Sequence, residues 1–120
     1  MRLGWIGWTE DRLRHIWKKH KVSPSDLREA FVEPDYKPVF RRTRQGRYTV
    51  MGTTTGGRDL CAVMEVVYRD AKPGMTIYEL RDTPLVGDDP GKGDRGAFII
   101  TAYDLPDKQR EWLEEMRRKT

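Results

Sequence analysis

Apolar residues at Leu13, Ile16 and Trp17, continued by His20, follow the i, i+3, i+4, i+7 spacing of a single helix face. The spacing predicts a helix that begins at Glu10. Thr9 is placed to cap it, and Glu10 and Asp11 suit the positive end of its dipole. Arg14, Lys18 and Lys21 fall on another face and make the helix basic toward solvent. Before it, Leu3 to Trp8 reads as a short strand. A second helix start stands at Ser23-Pro24-Ser25-Asp26, with a serine cap, proline at the first helical position and a carboxylate three residues after the cap. Val22 and Leu27 sit where a hydrophobic staple needs them. Leu27, Ala30 and Phe31 form the stripe to be buried, and Pro34 ends the helix near Glu33.

The pattern then changes to strand formers. Residues 38–43 and 47–53 predict two strands joined by a tight turn at Arg44-Gln45-Gly46-Arg47. Gly56-Gly57 marks a second turn, and Leu60 to Tyr68 reads as a long apolar strand at the centre of a sheet. Met75 to Leu80 predicts a further strand. Residues 82–96, with Pro84, Gly87, Pro90, Gly91, Gly93, Gly96 and several aspartates, predict a mobile loop that little could order. Ala97 to Tyr103 returns as a strand, and Asp104 or Leu105 is expected to open a final helix with Trp112, Leu113 and Met116 on its buried edge. The expected fold is α+β: an antiparallel sheet of four to five strands, two N-terminal helices and one C-terminal helix, in one domain over residues 1–120.

Composition narrows the functional classes. The net charge is +4, but residues 1–60 hold 13 Lys/Arg against 7 Asp/Glu, whereas residues 61–120 hold 10 against 12. The basic half would attract a polyanion. The single cysteine, Cys61, allows neither an internal disulfide nor a cysteine-based zinc site, and reads as a reduced core residue of a cytoplasmic protein. The N-terminus lacks the apolar run of a secretory signal, and no stretch approaches the ~20 apolar residues of a membrane span. His15 and His20 are five apart, which places them on different helix faces and makes a metal pair a poor reading. The only serines, Ser23 and Ser25, are explained by the helix start, and no phosphate-binding Gly-x-x-x-x-Gly-Lys loop occurs.

The remaining candidate chemistry is cationic. Arg41, Arg42, Arg44 and Arg47 fall within seven residues, beside Tyr48. Arginine forks pair with phosphate and stack on bases, so this hairpin is a candidate RNA-holding surface; a solvated edge that uses charge to block aggregation is the plainer alternative. Arg58, after Gly56-Gly57, is placed to reach across the sheet. Lys18-Lys19-His20-Lys21 ends the first helix, and His20 is either a catalytic group or a hydrogen-bonded core histidine. These residue types fit RNA cleavage without metal or cofactor. In that reaction the 2′-hydroxyl attacks the adjacent phosphate, two protons move, and cations stabilise the added phosphoryl charge.

Five segments, in order, resemble the BrnT family of toxins from type II toxin–antitoxin pairs, whose fold is RelE-like. They are Trp8-Thr9-Glu10-Asp11, Lys19-His20-Lys21-Val22-Ser23-Pro24, Gly46-Arg47-Tyr48, Gly57-Arg58-Asp59-Leu60 and Ile100-Thr101-Ala102-Tyr103-Asp104. The resemblance implies a ribonuclease toxin that acts on RNA, is neutralised by a cognate antitoxin protein, and meets DNA only through that antitoxin. It implies catalytic roles for His20, Arg58 and Lys19 and, more loosely, an RNA contact from Arg47; Tyr103 is a further candidate for proton transfer, and Arg41, Arg42 and Arg44, with Lys18, form an RNA-holding edge, the three arginines alternatively an antitoxin-docking surface. Arg47 and Arg58 are expected to meet His20 and Tyr103. The chain departs from the family pattern at Lys21, where glycine is frequent, at Tyr103, where many members carry arginine, and at residues 70–96, which read as a mobile insertion before the last strand.

Overall fold

Capping chemistry sets the helical entry to the fold. A computed structural model describes residues 3–44, 46–67, 73–80, 86–88 and 95–119 of the chain. Strand β1, Leu3–Thr9, runs directly into α1, Glu10–His20. The Thr9 hydroxyl accepts from the Arg12 N–H at 3.3 Å, and Lys21 ends the helix in the left-handed region, φ 54°. Ser23 and Asp26 then form a reciprocal capping box at 3.0 and 3.1 Å. The segment it starts reaches Val32, close to the expected end near Glu33, but changes type on the way. It is a four-residue α2, Pro24–Leu27, that continues as a π-helical turn, Arg28–Val32. The wider turn seats Phe31 on the sheet beside Gly52, where a Cβ would lie 2.7 Å from both the Ala30 carbonyl and the Phe31 ring.

The strands β2 (Val39–Arg44), β3 (Arg47–Thr53) and β4 (Asp59–Val67) form the expected antiparallel meander, with β4 in the middle of the sheet. β5, Met75–Glu79, pairs antiparallel with β1 at one edge. The two-residue β6, Val86–Gly87, pairs parallel with β2 at the other. β7, Arg95–Asp104, lies between β1 and β4, parallel to the first and antiparallel to the second. The spatial order is β5-β1-β7-β4-β3-β2-β6. The fold is α+β, but the sheet is mixed and wider than the four or five antiparallel strands expected. The parallel β1–β7 pair joins opposite ends of the chain, and a pairing of that span leaves no local turn signal.

β7 also extends through Asp104, so the last helix, α3, starts at Asp107 rather than at Asp104 or Leu105. Leu105 donates its N–H to the Asp59 carbonyl at 3.0 Å, which prolongs sheet-like pairing past the expected helix start. The expected insertion at 70–96 contributes β5, β6 and the start of β7; residues 68–72, 81–85 and 89–94, where most of the expected mobile loop falls, lie outside the described residues.

The sheet has two packed faces. Ile6, Trp8, Val50, Leu60, Ala62, Met64 and Ile99 meet Ile16, Val22, Leu27 and Phe31 on the face covered by α1 and α2. Val39, Met51 and Cys61 meet Leu105 and Leu113 on the face covered by α3. Trp17 does not join the core as its spacing predicts; it is 50% exposed. Among the described residues no helix is long and apolar enough to cross a membrane.

Candidate functional site

The Thr54–Arg58 turn fixes the first candidate. Gly57 takes φ 90° and donates to the Thr54 carbonyl, and the Arg58 N–H donates to Thr54 Oγ1 at 3.0 Å. From there the Arg58 side chain does not cross the sheet. It turns to the C-terminal end of α1. Nε and NH2 donate to the two carboxylate oxygens of Asp104 at 2.7 and 3.3 Å. NH1 donates to the Lys21 carbonyl at 2.9 Å and to Asp26 Oδ2 at 3.2 Å, and NH2 donates to the His20 carbonyl at 3.3 Å. A guanidinium has five N–H donors, and five protein acceptors surround this one. Arg58 therefore ties α1, the capping box and β7 together.

The electrostatics agree with the geometry. The hydrogen bond to Asp104 is the leading reason that the Arg58 pKa is raised and the Asp104 pKa is lowered. A phosphate at Arg58 would have to displace Asp104.

Three of the four residues expected to converge do so. The His20 and Tyr103 rings lie 5.8 Å apart, inclined by 50°. Arg58 reaches the His20 backbone. Arg47 does not join them. It stands opposite Glu65, with the guanidinium 4.0 Å from that carboxylate. Glu65 lies on β4 seven residues beyond Arg58, which directly precedes that strand, roughly 23 Å at about 3.3 Å per residue. The expected meeting of Arg47 with Arg58 fails because β3 and β4 are antiparallel, so the start of one strand faces the end of the other.

Tyr103 faces Cys61 across the β4–β7 pair, and the Cys61 thiol donates to its hydroxyl at 3.5 Å. Once the thiol has ionised the phenol O–H donates to the Cys61 sulfur instead, and that contact, then burial, pushes the Tyr103 pKa up to about 12. Burial raises the Cys61 pKa as well. At neutral pH the phenol is therefore protonated and suited to donating a hydrogen bond or proton, not to acting as a base. Because the folded value lies above the ordinary value of 10, the associated stability is complete below pH 10 and is lost as pH rises through 12. A tyrosinate absorbance titration is expected to show one phenol ionising near 12, and Cys61→Ala should bring that step down.

Tyr103 also lines a cleft of about 390 Å³ with Arg41, Arg42, Thr43, Thr49, Met51 and Gln109. The alternation of β2 and β3 puts Thr49 and Met51 on the α3 side of the sheet. Arg41 extends over the Trp112 ring of α3, 5.6 Å from its centroid, and the Arg42 N–H is held by Asp88 at 2.7 Å. Arg44 pairs directly with Arg47 across the hairpin, a like-charge pair that an anion would relieve. Tyr48 is buried against Phe40 and is not a stacking surface of the hairpin. Lys18 and Lys19 are exposed in the last turn of α1, on opposite flanks of its buried stripe.

Sequence reasoning missed Asp104, Asp26 and Gln109. Asp26 is explained locally by the capping box, which hides its second role under Arg58. Asp104 is 46 residues from Arg58, and only the β4–β7 register brings the two together. Among the described residues no three His, Cys, Asp or Glu side chains group closely enough to hold a metal ion. The chain matches no protein-family model and no curated protein sequence in the comparisons made.

Proposed function

We propose that this protein is a metal-independent endoribonuclease, acting as the toxin of a type II toxin–antitoxin pair and cleaving RNA by 2′-hydroxyl attack on the adjacent phosphate. The observation that supports this most is the cleft in which Arg41 and Arg42 share a wall with Tyr103, whose ring contacts His20. Arg41, on the same face as Thr49 and Tyr103, supplies the bidentate phosphate contact, while strand alternation sends the Arg42 side chain to the other face. His20 takes or returns a proton, and the Tyr103 phenol donates to a phosphoryl oxygen or to the leaving group. Arg58 acts as a positioning residue that holds the His20 backbone, and Asp104 neutralises it in that task. Lys19 lies next to His20 and contributes charge.

The test uses the purified protein, a short RNA and excess chelator. Cleavage to products ending in 2′,3′-cyclic phosphate is expected, with no cleavage where a 2′-deoxynucleotide precedes the scissile bond. Cleavage of the deoxy-substituted strand, or intact RNA at equimolar enzyme, overturns the reading. Tyr103→Phe removes the hydroxyl without the ring and is expected to lower the single-turnover rate about 10-fold or more, as loss of one positioned donor does.

A second reading is favoured by Arg58. With its donors engaged by protein acceptors, the fold resembles a binding module that holds RNA and cleaves nothing. In that case RNA binding survives His20→Ala and no product forms with either protein.

A further inference from the structure

The exposed face of α1 carries a feature that the cleft does not explain. Trp17 is half exposed, an unusual position for the largest side chain. It is covered by a cation: Lys21 Nζ lies 5.2 Å from the ring centroid. Lys21 is the only non-glycine residue with positive φ among the described residues, 54°. Two bonds hold it there. Its N–H donates to the Trp17 carbonyl at 2.9 Å, and its own carbonyl accepts from Arg58 at 2.9 Å. A side chain kept in a sparsely populated conformation needs such support, and here the support aims an ammonium over an indole.

Around Trp17 the helix geometry gathers further cations. Arg14 lies one turn before it and Lys18 follows it on the same flank, both exposed. Arg14 is balanced by Glu10 and Asp11, each at 3.7 Å, whereas no ion pair of Lys18 or Lys21 occurs among the described residues. His20 is one helical turn beyond Trp17. A half-exposed aromatic ring next to ammonium groups that have no carboxylate partner is the pairing that unpaired nucleic-acid strands use, with the base on the ring and the phosphate on the cation.

We propose that Trp17 and Lys21 form a stacking site for one unpaired RNA base, so that the strand leaving the His20–Tyr103 site is gripped on α1. Lys21 caps the ring in the free protein and moves to the phosphate when a base takes its place. This inference rests on the RNA reading of the preceding section. It adds a second contact, outside the cleft, and makes single-stranded RNA the preferred form.

The test measures binding of a fluorescently labelled 2′-O-methyl oligouridine to the full chain. That strand cannot undergo 2′-hydroxyl attack, so binding is read without cleavage, and failure of the stacking site is distinguishable from failure of the nuclease reading. Trp17→Ala is expected to weaken binding roughly 5- to 100-fold, the range for loss of one stacked base, while Trp17→Phe stays within about 2-fold of the parent. An abasic strand of equal length should lose the same factor with the parent protein and be indifferent to Trp17→Ala. Equal affinity of the parent for abasic and base-bearing strands overturns the proposal, as does unchanged affinity of Trp17→Ala. Displacement of the RNA by polyglutamate at equal charge also overturns it, and assigns the face to an acidic protein.

Discussion

Replacing His20 by alanine is expected to lower the single-turnover rate of RNA cleavage by about 10²- to 10⁴-fold, the usual contribution of a positioned general acid or base. RNA affinity should change little, because the proposed phosphate contact comes from Arg41 in the cleft and not from the imidazole. The rate and the binding constant are both needed. A fall in rate with intact binding identifies His20 as part of the chemistry. A parallel fall in both would mean that the imidazole only supports the Tyr103 ring, 5.8 Å away. His20→Gln separates the cases further, since it keeps hydrogen-bonding capacity but cannot shuttle a proton at neutral pH.

Arg58→Ala is expected to be the most destabilising single change on the polar surface of the fold, by about 2–3 kcal/mol. Hydrogen bonds to charged groups contribute about 1.5–3 kcal/mol each, but this guanidinium is partly exposed and Asp104 more so, which discounts the sum. Urea denaturation checks it: with a slope of about 1–3 kcal/mol per molar, the midpoint should fall by roughly 1 M. Arg58→Lys should recover little, since an ammonium cannot serve Asp104, Asp26 and two carbonyls at once. The pH dependence has a definite sign. Asp104 is held below the ordinary carboxylate range, chiefly by the Arg58 hydrogen bond. Its contribution is therefore complete above that range and is lost as pH falls through the folded value. In Arg58→Ala this part of the acid sensitivity should disappear. Cleavage would fall too, through a displaced His20 backbone rather than a lost phosphate ligand.

The contrast between these two residues shows what the sequence made legible. Thr9, Ser23, Pro24 and Asp26 announce their helices because a cap is settled within four residues. Residues 47–53 and 60–67 announce strands because their side chains suit a pleated, buried surface. His20 and Tyr103 were placed together through ordered segments, and their rings do touch. Arg58 was expected to face phosphate, because a lone arginine after a glycine turn shows no acceptors of its own. Its partners are spread over three other segments, and only the folded register collects them. The same blindness applies to β1 beside β7, and to Arg47, whose distance from Arg58 follows from strand direction rather than residue type. Trp17 was misjudged for a different reason. Its position borders the buried stripe of α1, and spacing alone does not say where that stripe ends.

The positions of β5 and β6 at opposite edges of the sheet carry a consequence for its curvature. Six residues separate Glu79 from Val86, seven Cα-to-Cα steps that reach about 25 Å at full extension. In a flat sheet, six strand spacings of about 4.8 Å would hold those two edges near 29 Å apart, before any offset along the strands. The sheet must therefore curl, and covalent chain tethers one margin to the other. Both margins are also short, five residues in β5 and two in β6, and short edge strands are poor templates for adding a strand from a neighbouring molecule.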